Sequence, residues 1–140
     1  MPKITASRSH DFSMGHRVYG HESKCAHLHG HNYRVHFSIE AHDLDTVGRV
    51  LDFSVIKDLL CEWLEEHWDH KFLVFREDPW AEQLVQIDPA GTVVVDFNPT
   101  AENIAEYLLE EVGPKQLEGT PARLTEVTIE ETRKCWVTTT

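Results

Sequence analysis

The segment His29-Gly30-His31 raises the first chemical question in this chain. On a β-strand, alternate residues project from one face with Cα atoms roughly 6.6 Å apart. Two imidazoles at that spacing can converge on one metal ion. Gly30 keeps the opposite face clear and allows close backbone approach. A third ligand must come from another segment. His16 is the best candidate, because it ends a neighbouring alternating stretch at the apolar parity. Three imidazoles leave one position of a tetrahedral zinc open to water or substrate, the pattern of a catalytic site. The bland alternative is a set of solvated or core-satisfied histidines. His10, His21, His27, His36, His42 and His67 each read as surface or supporting residues, with His27 ambiguous in parity.

Cys25 lies four residues before His29, between polar neighbours. A thiol beside a divalent cation or an imidazolium ionises more easily and can act as base or nucleophile near neutrality. Cys61 falls in a helical pattern and Cys135 in a strand pattern, and both read as packing residues. Asp69-His70 supplies a carboxylate and an imidazole that a pocket wall could use, reaching Cys25 across the fold or across a subunit boundary. Taken alone, the pair reads more readily as a helix C-terminal feature, where a cationic His suits the dipole. Glu131 ends an apolar strand row. It is either an anchor for a ring with neighbouring N–H donors or a surface strand end.

These residues need elements to position them. Residues 3–16 read as a first strand. Residues 29–40 alternate at period two, with His29, His31, Tyr33, Val35, Phe37 and Ile39 on the apolar face. Residues 52–68 read as a helix, with Phe53, Ile56, Leu60, Trp63, Leu64 and His67 at three- and four-residue steps and Asp52 or Ser54 as cap. A second helix starts at Thr100 as N-cap and is stopped by Gly113-Pro114. Residues 124–132 alternate again, and 135–140 form a short final strand. Residues 74–97 are the least readable, apart from a turn at Asp88-Pro89-Ala90-Gly91 and a short extra strand at Thr92–Val95. The expected architecture is α+β, two helices on one face of a four-stranded antiparallel sheet in ββααββ order. So small a sheet leaves open edges, so oligomerisation through them is expected.

The chain has 140 residues, the length of one domain, and residues 1–140 are read as one. Its formal net charge of −11 argues against nucleic acid as a main partner. No run reaches the length of a membrane span, and no apolar leader is visible, so cytoplasm is the default expectation. Three widely spaced cysteines without a CxxC pair fit free thiols in a reducing compartment.

The ordered motifs Phe12-Ser13-Met14-Gly15-His16, Cys25-Ala26-His27-Leu28-His29-Gly30-His31, Leu51-Asp52-Phe53, Asp69-His70-Lys71-Phe72-Leu73, Asn98-Pro99-Thr100-Ala101-Glu102-Asn103 and Glu130-Glu131-Thr132 carry a resemblance over nearly the whole chain. They resemble the 6-pyruvoyltetrahydropterin synthase family, and most closely its 6-carboxy-5,6,7,8-tetrahydropterin synthase branch, which acts in queuosine and 7-deazapurine biosynthesis. The resemblance implies the tunnelling fold, with trimers joined edge to edge, commonly stacked as hexamers, and active sites between subunits. It implies zinc on His16, His29 and His31, proton transfer by Cys25, Asp69 and His70, and pterin anchoring by Glu131, with Thr100 a further pterin contact.

The implied substrate is 7,8-dihydroneopterin triphosphate. Its ring is reduced internally as its side chain oxidises, and cleavage then releases acetaldehyde and triphosphate. Lys24, with Arg17 and His27, is expected to supply the positive field for the triphosphate. The spacing from Cys25 to His29 favours the carboxy branch over the pyruvoyl-forming synthase, which eliminates triphosphate without cleaving the side chain. A non-catalytic zinc or pterin binder is the reading from another class. A metallohydrolase is disfavoured by the lack of an HExxH motif. Met14-Gly15 before the first histidine, a short hairpin after Thr132, and residues 74–97 depart from the family pattern.

Overall fold

Period-two alternation produces two long strands, β1 (Ala6–His16) and β2 (His29–Ala41), which pair antiparallel from Ala6 opposite Ile39 to His16 opposite His29. The computed structural model describes residues 2–140. A short 3-10 turn, Lys24–Ala26, lies in the connection between the two strands. A long helix, α1 (residues 53–67), follows. Asp52 caps it by accepting from the Ser54 amide, and a π-turn at Lys57–Cys61 interrupts it.

Next come β3 (Lys71–Phe75), α2 (Ala81–Ile87) and β4 (Thr92–Val95). Helix α3 (residues 101–116) is capped by Thr100, whose hydroxyl accepts from the Asn103 amide. Strands β5 (Ala122–Thr132) and β6 (Cys135–Thr139) close the chain.

The α+β class holds, but the four-stranded antiparallel sheet does not. The sheet has six strands in the order β4-β3-β1-β2-β5-β6, and β1–β3 and β3–β4 pair in parallel. A third helix, α2, joins the two added strands. The segment 74–97 is therefore mostly a crossover unit that widens the sheet. The short strand expected at Thr92–Val95 is present as β4, whereas β3 escaped the period-two reading for a physical reason. Phe72-Leu73-Val74-Phe75 and Val93-Val94-Val95 are continuous apolar runs, the pattern of parallel strands covered on both faces.

Helix α3 also runs past its expected stop at Gly113-Pro114. A π-turn at Leu108–Val112 lets an α segment restart there, and Pro114 falls in its first turn, where a missing N–H costs no bond.

The core lies between one sheet face and the helices. Phe12, Met14, Tyr33, Val35, Phe37, Ile39, Val127 and Ile129 face Ile56, Leu60 and Leu64 of α1 and Ile104 and Leu108 of α3. The other face carries Ser7, Asn32, Arg34, His36, Glu126 and Thr128. Among the described residues no helix is long and apolar enough to cross a membrane. Strand β3 pairs only with Met14–His16, so the first half of β1 has no neighbour on that side, and β6 ends the sheet opposite β4.

Candidate metal centre and active site

The β1–β2 register builds the centre. His16 stands directly opposite His29, and Met14 opposite His31, so all three imidazoles leave the helix-covered face at the end of the ladder. One ring nitrogen from each of His16, His29 and His31 lies within 4.8 Å of the others. Ring centroids are 4.6 Å apart for His16–His29, 5.2 Å for His16–His31 and 4.9 Å for His29–His31.

Second partners fix which nitrogens are free. A backbone carbonyl can only accept, so His16 Nδ1 donates to the Pro99 carbonyl at 2.6 Å and His29 Nδ1 to the His27 carbonyl at 2.7 Å. Both rings then present a bare Nε2, as metal-binding imidazoles do when a carbonyl holds the other nitrogen. The buried Nε2 atoms of His16 and His31 have no hydrogen-bond partner within the chain. Orphaned acceptors of this kind are costly unless something fills the space between them. The three residues therefore fit a single divalent ion with borderline-soft nitrogen preference, such as zinc.

The electrostatics agree. His16 is 1% exposed, and burial, with the neighbouring rings, pushes its pKa down to about 4 despite the bond to Pro99. Burial likewise lowers that of His31, against the pull of Glu131, whose Oε1 is 3.5 Å from His31 Nε2. Both rings are neutral near pH 7, the form that binds metal.

Tyr33 was not singled out in the sequence as a site residue. It occupies the next position of the same parity after His29 and His31, which is the signal that could have found it. Its ring is 5.4 Å from that of His31, its hydroxyl is buried without a partner, and burial with the nearby Glu131 and Cys25 raises its pKa.

The proton-transfer candidates lie on connections. Cys25 is half-buried in the Lys24–Ala26 turn, with its carbonyl accepting from the Val18 amide at 2.8 Å. Asp69 and His70 fall just beyond α1, pinned to β1. The Ser13 amide donates to Asp69 Oδ1 at 2.9 Å, and the His70 amide donates to the Ser13 carbonyl at 2.7 Å. Burial alone would raise the Asp69 pKa, but the Ser13 amide and His70 hold it below the usual carboxylate value.

His70 Nδ1 donates to Asp69 Oδ2 at 2.7 Å, which leaves Nε2 free. His70 has φ +61, a left-handed conformation that a non-glycine residue rarely adopts and that often accompanies function. The pair does close α1, the Asp69 amide donating to the Leu64 carbonyl at 2.8 Å, while the imidazole leans on Asp69 and the His70 backbone on Ser13.

A groove of about 760 Å³ brings Asp69, His70, His31, Tyr33 and Glu131 to one lining, and Cys25 is not part of it. Thr100 caps α3 beside Pro99, which holds His16. Lys24 is exposed in the turn that carries Cys25. Arg17 is not available to a phosphate group. It is 7% exposed and ion-paired to the buried Asp78.

A family model described as 6-pyruvoyl tetrahydropterin synthase matches residues 5–140. The 6-carboxy-5,6,7,8-tetrahydropterin synthase of Rickettsia bellii is 38% identical over 135 residues, covering 96% of this chain and 98% of that protein. The Haemophilus influenzae protein of the same name is 33% identical over 109 residues, covering 73% and 77%. Among solved structures, the 6-pyruvoyl tetrahydropterin synthase of Caenorhabditis elegans superposes with a TM-score of 0.70 at 27% identity, over 99% of this chain and 96% of that one. An uncharacterized protein from Wolinella succinogenes shares the fold at a TM-score of 0.87 and 24% identity, over 99% and 98%.

Proposed function

The chain belongs to the 6-pyruvoyl tetrahydropterin synthase family, and from that premise we propose that it is a zinc-dependent lyase. Its substrate is 7,8-dihydroneopterin triphosphate, and its products are 6-carboxy-5,6,7,8-tetrahydropterin, acetaldehyde and triphosphate. The observation that carries this reading is the convergence of the His16, His29 and His31 imidazoles, the last of which lines a groove together with Asp69, His70 and Glu131.

His16, His29 and His31 would hold a divalent ion, whose positive charge would make side-chain hydroxyls of the substrate easier to deprotonate. Cys25 accepts a proton from the substrate side chain. Asp69 holds His70 in the tautomer whose Nε2 is bare and stabilises the imidazolium that forms when that nitrogen takes a proton. Glu131 accepts hydrogen bonds from the pterin ring N–H and amino group, with Thr100 a further contact and Lys24 attracting the triphosphate.

Asp69 and His70 line a groove that Cys25 does not. In our reading the group is completed between copies of the chain, in a trimer or a dimer of trimers joined along the free side of β1 and the outer edge of β6.

The pyruvoyl-forming reaction is the second reading, favoured by the description of the matching family model. Incubation with dihydroneopterin triphosphate and mass analysis of the pterin decide between them. The 6-carboxy product with stoichiometric acetaldehyde is expected. A pterin that keeps its three-carbon side chain would establish the pyruvoyl reaction instead, and tight pterin binding without turnover would leave a binding module.

A further inference from the structure

Arg17 follows the first histidine of the metal centre. Its Nε donates to Asp78 Oδ2 at 2.5 Å and its Nη2 to Asp78 Oδ1 at 3.0 Å. Asp78 is 4% exposed, lies on the connection between β3 and α2, and has Oδ1 further fixed by the Trp80 amide at 2.9 Å. The guanidinium carbon stands 3.6 Å from the centre of the Trp80 ring. A two-point carboxylate contact plus an aromatic stack leaves a guanidinium little conformational freedom.

The remaining nitrogen, Nη1, donates to the Ala26 carbonyl at 3.1 Å. Ala26 ends the short turn whose middle residue is Cys25. That turn contains no buried residue, and Ser23 at its start makes no side-chain cap. Its ties to the rest of the fold include this bond and the one from the Val18 amide to the Cys25 carbonyl.

We propose that Asp78 is a positioning residue for Cys25: acting through Arg17, it holds the Lys24–Ala26 turn, and with it the Cys25 thiol, in place. The inference rests on the proposed role of Cys25. It assigns a task to the crossover unit. Without the Asp78 carboxylate the buried guanidinium has no counter-charge and turns toward water, and Nη1 leaves the Ala26 carbonyl. The histidines are held by the β1–β2 ladder and by Pro99 and His27, so they do not depend on this contact.

The test compares Asp78→Asn with the double variant Arg17→Met, Asp78→Leu. The double variant removes both charges together and keeps apolar bulk. Zinc content, kcat and KM for dihydroneopterin triphosphate, and the alkylation rate at the Cys25 peptide in zinc-loaded protein are measured. In both variants zinc is retained and KM changes little. Turnover falls about tenfold to a hundredfold, the scale of a small misplacement of a reacting group, and Cys25 alkylates several-fold faster.

Turnover within twofold of wild type in the folded variants would overturn the proposal. So would a loss that tracks zinc content, or failure of both variants to fold, which would make the pair purely structural. If the wild-type protein does not turn over the substrate, the functional reading falls and alkylation still decides this one. Faster labelling in the variants supports the clamp, and unchanged labelling refutes it.

Discussion

The candidate metal centre and the proposed proton-transfer group are built in opposite ways. His16, His29 and His31 sit on paired strands, and backbone carbonyls fix the tautomers of His16 and His29. Cys25, Asp69 and His70 sit on turns, and the groove that Asp69 and His70 line does not include Cys25. The ladder can hold three imidazoles in one geometry within one chain, because a register error would move every side chain to the other face. The turns cannot, and in our proposal their alignment depends on distant contacts such as Asp78 and on a second copy.

The contrast yields predictions of decreasing size. His29→Ala should lose metal and activity together, the latter by about 10³-fold or more, the scale of several kcal/mol of electrostatic stabilisation. Metal analysis and turnover check it, and retained stoichiometric zinc would break the ladder half of the comparison. Cys25→Ala should keep zinc and assembly while turnover drops by about 10²- to 10⁴-fold, the usual range for a lost general base. Full activity would remove the thiol from the mechanism.

In the metal-free protein, His16 is held neutral with a pKa of about 4 while the unfolded chain titrates near 6.5. Below pH 6.5 the unfolded state takes up a proton that the folded state refuses. Stability is therefore complete above that value and falls as pH drops toward 4, by at most about 3 kcal/mol, with His31 adding in the same direction. Urea midpoints across this window measure it, and a flat profile would contradict the burial argument. The smallest effect is that of Thr100→Ala. Loss of the cap should cost about 1 kcal/mol of stability, read as a fall of a few degrees in Tm.

Much of this was legible in the sequence where one residue type carried one signal. The alternation from His29 to Ile39 located both the strand and its ligand face, and the parity of His16 named the third imidazole. Asn98-Pro99-Thr100 marked the start of α3, although nothing local said that Pro99 would hold His16.

The unread parts depend on partners far along the chain. Arg17 looks like a free cation until Asp78, 61 residues away, folds onto it. Asp69-His70 reads as a helix end, which it is, but nothing local says that Ser13 also fixes both residues. Strand β4 was legible as the short strand at Thr92–Val95, whereas β3 was not, because its unbroken apolar run Phe72-Leu73-Val74-Phe75 lacks the alternation that identifies a half-exposed strand.

Anomalous diffraction at the zinc edge, on crystals of the protein purified without added chelator, tests the central claim most directly. The expected result is one peak per chain at about 2.0–2.1 Å from Nε2 of His16, His29 and His31. A peak elsewhere, or three imidazoles hydrogen-bonded to water with no ion between them at full zinc saturation, would contradict it.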